Sequence, residues 1–334
     1  MSSSQNFNIR NDSIDILRGI AIILVVLGHL NPGDLLTKFI YTSHLFLFFF
    51  ISGYLSKITP LGKTHVFLRR KALRLLVPFF FWNGFSIGIY MLIENKLSFQ
   101  SAIEQFFFLN GSVGWNSPVW FLLVLFEVEL LWYLICRNKW LVIITFFVST
   151  GGFIALSYFS FIAPFGFHLV PVGLMFYCFG ALYRKFNSRV SFGNLVTVGI
   201  LLFFLIINVI SGVIFNDKIS VYHCIFNNVY LTTLAGISGV LFYYHLSCLL
   251  GKLNFLKRIL SPFGIHSMLI VSTHYYFLWL LSFISQKLDW IDLWHYSSFV
   301  KGTLICVGMM ILYYVSFKLY DKVVKRLPWI KYFV

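Results

Sequence analysis

Residues 17–30 read LRGIAIILVVLGHL, hydrocarbon throughout except for Arg18 near one end and His29 near the other. On a helix of about 100° per residue, their separation turns only about 20° beyond three full turns, so both groups project from one face. At about 1.5 Å per residue they stand about 16 Å apart along the axis. Ionisable groups within an apolar span cost about 2.5–3.5 kcal/mol at mid-helix and tend to mark function. The competing reading is that Arg18 snorkels to lipid headgroups while His29 caps the far end of the helix.

The rest of the chain makes that helix one of many. Of 334 residues, 59% are hydrophobic, 20% aromatic and only 11% charged. Soluble domains carry about 25% charged residues, so a water-soluble fold is excluded and the chain is expected to be an all-α polytopic membrane protein. Residues 1–13 are polar, with no short apolar segment and small-residue cleavage site, so the first span is expected to be retained rather than cleaved. Cys136, Cys178, Cys224, Cys248 and Cys306 are scattered singly in apolar segments. They offer neither a disulfide framework nor metal-ligand spacing, and no metal is expected.

Spans of about 20 mostly apolar residues are expected at 15–31, 40–56, 75–93, 118–136, 140–159, 167–183, 193–214, 224–246, 263–284 and 300–319. Ser117-Pro118 suggests an N-cap followed by proline at the first helical position. Pro78 and Pro171 fall near expected helix starts, where a missing N–H costs little. The domain reading is a cytoplasmic tail over 1–13, one membrane domain over 14–320 and a basic amphipathic cytoplasmic tail over 321–334. With the N-terminus inside and loops assigned alternately, 21 of the 26 Lys and Arg fall on the cytoplasmic side. Only Lys38, Lys96, Lys218, Lys287 and Lys301 remain outside. A wrong helix count would scramble that asymmetry, so it supports both ten spans and cytoplasmic termini. The net charge of +15 is accordingly assigned to topology and anionic membrane lipids, not to nucleic acid.

Other polar groups fall at related depths. His44 opens the second span (YTSHLFLFFFISGYLS) at the level of His29, and the short loop between the spans would let both face one cavity. Interfacial anchoring is the alternative for His44. Ser52-Gly53 offers a small patch for close approach of a backbone or a ligand. In FLRRKALRLLVPFFFW, Arg70 and Arg74 share a helix face with Lys71 and could clamp a phosphate; ordinary positive-inside anchoring competes. Glu127 and Glu129 lie about 200° apart on their span. Glu127 is nearly in line with Trp120, and Glu129 has no evident partner. His274 falls near mid-membrane, where a hydrogen-bonded neutral histidine is the simpler reading, and His266 near the inner interface.

Together these stretches resemble the acyltransferase-3 family of integral membrane acyltransferases, and look closest to its fucose 4-O-acetylase-like branch. The first-helix signature is matched by Asp15, Ile16, Arg18, Gly19, Gly28 and His29, and the second-helix pattern by His44, Ser52, Gly53 and Tyr54. The basic run ending in proline is matched from Arg70 to Pro78, the Trp-Phe-Leu motif by Trp120 to Leu122 with Leu125 and Phe126, and the late pattern by Gly264, Ser267 and His274. Where the family often has Arg-x-x-Arg, this chain offers Lys71-x-x-Arg74 or Arg70-x-x-x-Arg74. No SGNH-type domain follows the tenth span, so the chain is expected to complete transfer itself or to hand the acyl group on.

The resemblance implies a multi-pass protein of a bacterial inner (plasma) membrane. Its donor would be acyl-CoA, acetyl-CoA first, and its acceptor a hydroxyl of a cell-surface polysaccharide or a lipid-linked glycan precursor. Arg18, Arg70, Lys71 and Arg74 would hold the phosphate-bearing end of the donor, and His29 would be the general base. An acyl-histidine intermediate stays open. His44 or Glu127 would orient His29 or the acceptor, with His274 as a further catalytic candidate. The alternative class is a proton-coupled carrier or flippase, against which stands the lack of an inverted repeat or matched broken helices.

Overall fold

A computed structural model of the chain describes residues 12–94, 97–159, 161–187, 194–287 and 298–333. Most of the amino-terminal tail with Arg10, and likewise Lys96 and Arg189, lie outside the described residues. What is described is helical, relieved only by turns and an isolated bridge between Ser220 and Ile225.

The helices are α1 (Asp12–His29), α2 (Asp34–Tyr41), α3 (His44–Tyr54), α4 (Thr64–Lys71), α5 (Val77–Glu94), α6 (Phe99–Phe106) and α7 (Trp120–Ile135). They continue as α8 (Lys139–Phe159), α9 (Val170–Asn187), α10 (Asn194–Val209), α11 (Val229–Leu250), α12 (Asn254–Ile265), α13 (Ser267–Lys287) and α14 (Phe299–Arg326). Nine helical stretches among the described residues are long and apolar enough to cross a membrane. They coincide with nine of the ten expected spans; the tenth is α1. Asp12, Asp15 and Arg18 in its first turns lower its apolar character, yet it packs against α3, α11, α12, α13 and α14 at the centre of the bundle.

Two crossings bring backbones into contact. A Cβ on Gly19 would sit 2.2 Å from the Leu260 carbonyl oxygen, and one on Gly264 1.9 Å from that of Asp15, so α1 and α12 meet through two glycines. Gly53 and Gly180 do the same for α3 and α9, facing the carbonyls of Tyr177 and Phe50. Lipid offers no hydrophobic drive for helices to associate, so small residues that permit intimate packing take that role. The small patch expected at Ser52-Gly53 is thus shared: Gly53 receives a backbone, while Ser52 faces a cavity.

Several local expectations change. Helix formation does not begin at Pro78: α4, a π-turn over Ala72–Leu76 and α5 form one helix over Thr64–Ile93. The Val77 N–H bonds back to Ala72, and the wider turn accommodates a proline that cannot donate. Ser117 is not the cap; Asn116 holds that position before a 3-10 turn over Ser117–Val119. The Asn116 side chain instead donates to the Ser272 carbonyl across the bundle (2.9 Å). The ninth span begins at Ser267 rather than 263, because Phe263 and Gly264 belong to α12, which packs on α1 through Gly264, and His266 leaves the helical conformation between the two helices.

Candidate active site

Two cavities open toward opposite ends of the bundle, and α1, α3, α7 and α13 contribute to both. The larger, about 580 Å³, lies at the basic end. Arg18 from α1, Arg70 and Lys71 from α4 and Arg74 from the π-turn all line it, joined by Lys57. A straight α-helix would spread Arg70, Lys71 and Arg74 over part of its circumference; here the π-turn intervenes and all three still reach one space. The loop from Leu55 to Pro60 forms another wall. It is held by arginines that sequence alone assigned only to topology. Arg184 Nη1 donates to the carbonyls of Tyr54 (3.1 Å) and Ser56 (2.6 Å), and Arg137 Nη2 to that of Thr59 (2.6 Å).

Glu129, without a partner in the sequence reading, forms a buried ion pair with Lys71 at the wall of this cavity. Lys71 therefore carries its charge against a fixed carboxylate, leaving Arg18, Arg70, Arg74 and Lys57 as the other cations lining this space. Glu127 is buried but lines neither cavity, and its Oε2 has no hydrogen-bond partner among the described residues.

The second cavity, about 340 Å³, lies at the other end of α1. His29 and His44 both line it, as the short connection between their helices suggests. His44 Nδ1 donates to the Ile40 carbonyl (2.9 Å), which fixes its tautomer and leaves Nε2 as the lone-pair nitrogen. His29 Nδ1 lies 3.2 Å from the Tyr275 hydroxyl, which also hydrogen-bonds Ser117. In the tautomer that donates Nδ1–H to Tyr275, the Nε2 of His29 is the basic atom. His274 is wholly buried behind this pair, its ring 5.4 Å from that of His29, and it does not line the cavity. Its Nδ1 donates to the carbonyls of Ile270 (2.8 Å) and Val271 (3.0 Å). Tyr275, one residue on, takes the hydrogen bond with His29.

The outer wall is a loop that no periodicity in the sequence flagged. Residues Lys218 to His223 and Ile225 close the cavity. The loop is tied to α2 by the Lys38–Asp217 pair (2.7 Å), and Lys218 Nζ stands over the Tyr41 ring (4.8 Å). Tyr222 stacks near Trp120 (5.8 Å) and accepts from the Val113 N–H (3.1 Å). Burial pushes the Tyr222 phenol above its ordinary value, with the Val113 N–H pulling the other way, so it stays protonated at neutral pH. No carboxylate lines this cavity. Imidazole, phenol and hydroxyl groups in an aromatic-walled space suit proton transfer from a hydroxyl better than metal binding. Among the described residues, no group of three His, Cys, Asp or Glu is placed to hold a metal.

A family model described as an acyltransferase domain matches residues 11–333, nearly the whole chain. Over 95 residues the sequence is 40% identical to the nodulation protein NolL of Sinorhizobium fredii, a match covering 24% of this chain and 25% of that protein. The chain thus spans about a quarter of the length of that relative. No solved structure matches it.

Proposed function

The chain belongs to the acyltransferase-3 family of membrane acyltransferases, and from that premise we propose that it moves an acetyl group from cytoplasmic acetyl-CoA to a hydroxyl of a cell-surface polysaccharide or its lipid-linked precursor. The observation that carries this reading is the pair of cavities at the two ends of α1, one walled by cations and the other by His29 and His44. The donor has the matching shape: phosphates at one end, a thin pantetheine arm, and the thioester at the other. Arg18, Arg70, Arg74 and Lys57 hold the phosphates, and the arm points along α1 toward His29.

His29 Nε2 takes the proton from the acceptor hydroxyl while the oxygen attacks the thioester carbonyl carbon. The tetrahedral adduct collapses, the carbon–sulfur bond breaks, and the proton passes from the imidazolium to the departing CoA thiolate. Tyr275 holds the His29 ring through Nδ1, and His44 supplies a second lone-pair nitrogen toward the acceptor. Trp120 and Tyr222 give the outer cavity aromatic faces of the kind on which a sugar ring packs.

Initial rates of CoA release and of label transfer from acetyl-CoA to extracted polysaccharide, with protein in nanodiscs, test the assignment. Phosphate contacts made equally in ground and transition states raise KM with little change in kcat. Arg74→Ala is therefore expected to be rescued by excess acetyl-CoA. Loss of a general base costs about 10²–10⁴-fold in rate at any donor concentration, and His29→Ala is expected to behave so while eluting as folded protein. Normal turnover by His29→Ala, or solute flux without CoA release in the wild type, overturns the reading.

A further inference from the structure

The two cavities adjoin, with part of their lining in common. Phe48 of α3, Phe121 of α7 and Val271 of α13 each line both of them. Along α3 the order is His44 and Leu45 in the outer cavity, Phe48 in both, then Ser52 in the basic one, followed past the helix end by Leu55. Along α7, Trp120 is outer, Phe121 shared, and Leu122, Leu125 and Glu129 basic; along α13, Tyr275 is outer, Val271 shared, and Met268 and Ser267 basic. Three helices therefore place one apolar side chain each at a common level, between Arg18 and His29. The Phe48 and Phe121 ring centroids stand 5.7 Å apart at 59°, and Phe121 leans on Phe49 at 4.8 Å. Phe48 packs against both hydrophobic clusters of the bundle.

Resting on the acyl-transfer reading above, we propose that Phe48, Phe121 and Val271 form a girth filter that sets which acyl groups reach His29. The phosphates stop below this level, since a charge crossing an apolar ring of side chains would lose its solvation without compensation. The thioester end is neutral and slender, and passes. A linear acyl group presents one methylene in cross-section and threads the gap; a group branched next to the carbonyl presents two carbons side by side and meets the rings. Selection is therefore by width, not by carbon count.

The test is a comparison of butyryl-CoA with isobutyryl-CoA, which contain the same atoms and differ only in branching. Release of free CoA thiol is read at saturating donor, with protein in nanodiscs and a methyl glycoside as soluble acyl acceptor. Discrimination of a methylene by close packing amounts to about 10–200-fold. The wild type is expected to favour the linear isomer at least about tenfold. Phe121→Ala and Phe48→Ala are expected to bring the ratio toward unity, because isobutyryl-CoA speeds up. Val271→Phe narrows the same level and is expected to slow every donor while CoA still binds the basic cavity, as titration with CoA reads. Equal rates for the two isomers in the wild type overturn the filter, as does an unchanged ratio in both alanine variants eluting as folded protein. If either variant fails to fold, Phe121→Leu and Val271→Phe carry the test through opposite shifts. Failure of the acyl-transfer reading is distinguishable, because there the wild type releases no CoA from any donor, and the filter falls with it.

Discussion

Lys71 and Glu129 show how a residue's neighbours decide its role. By position in a basic run, Lys71 belongs with Arg70 and Arg74 as a phosphate ligand; by contact, it is the partner of a carboxylate inside the bundle. Removing one member of a buried pair leaves an uncompensated charge, costing about 3–5 kcal/mol, while replacing both by apolar groups of similar size is often tolerated. Glu129→Gln and Lys71→Ala are each expected to lower the thermal unfolding midpoint, near the lower end of that range because the cavity partly wets Lys71. The double variant Lys71→Met with Glu129→Leu is expected to recover most of the loss. Its KM for acetyl-CoA is expected to change less than that of Arg74→Ala. A double variant that is stable yet has lost donor affinity as completely as Arg74→Ala would return Lys71 to the phosphate-binding set.

At the scale of the helix, the site depends on two crossings without side chains. Gly19 lies next to Arg18, and Gly53 next to Ser52, so each close approach also sets the height and rotation of a cavity residue. A methyl group at Gly19, Gly53 or Gly180 would come within 2.2 Å of a carbonyl oxygen on the partner helix, and the helix must move. Forcing extra carbon into a packed core costs about 1–3 kcal/mol, and more when backbone is the obstacle. Alanine at each of these three is expected to lower the melting midpoint and to reduce the folded peak on size exclusion. Gly151→Ala and Gly199→Ala, where a Cβ meets nothing within 4 Å, serve as controls and are expected to melt like the wild type. Equal behaviour of the two sets would remove the crossings as an explanation of the bundle's geometry.

For the whole molecule, the arrangement has a direction. The cation-lined cavity and the cavity of His29 and His44 lie toward opposite ends of α1, and the proposed mechanism requires the cation-lined end, on the side richer in Lys and Arg, to face the cytoplasm. Cysteine placed at exposed Lys139 is therefore expected to react with a membrane-impermeant maleimide only from the cytoplasmic side, and cysteine at exposed Lys218 only from the outside. The measurement compares right-side-out with inverted vesicles in a Cys224→Ser background, since Cys224 is the native thiol of the Lys218 loop. Labelling of both positions from one side would break the link between donor cavity and cytoplasm on which the two-ended mechanism depends.

The sequence by itself determined what periodicity and solvent preference can carry: a helical membrane chain, its spans, and the alignment of Arg18 with His29. These follow because a helix in lipid must satisfy its own backbone, so length and apolar content reveal it directly. The pairing of His29 with His44 was legible for a related reason, a loop too short to separate two neighbouring helices. The tertiary structure alone decided the rest. Whether Glu127 or Glu129 met a partner depended on how α4 and the π-turn pack against α7, which no pattern within either helix encodes. That Tyr275 rather than His274 hydrogen-bonds His29 and lines the cavity rests on the rotation of α13 about its axis, a matter of one residue in phase. The Lys218–Ile225 loop folds over the site through contacts with α2 and Trp120, side chains far away in sequence. The common level of Phe48, Phe121 and Val271 exists only because three helices dock in one register, and register between helices is fixed by packing, not by the composition of any one of them.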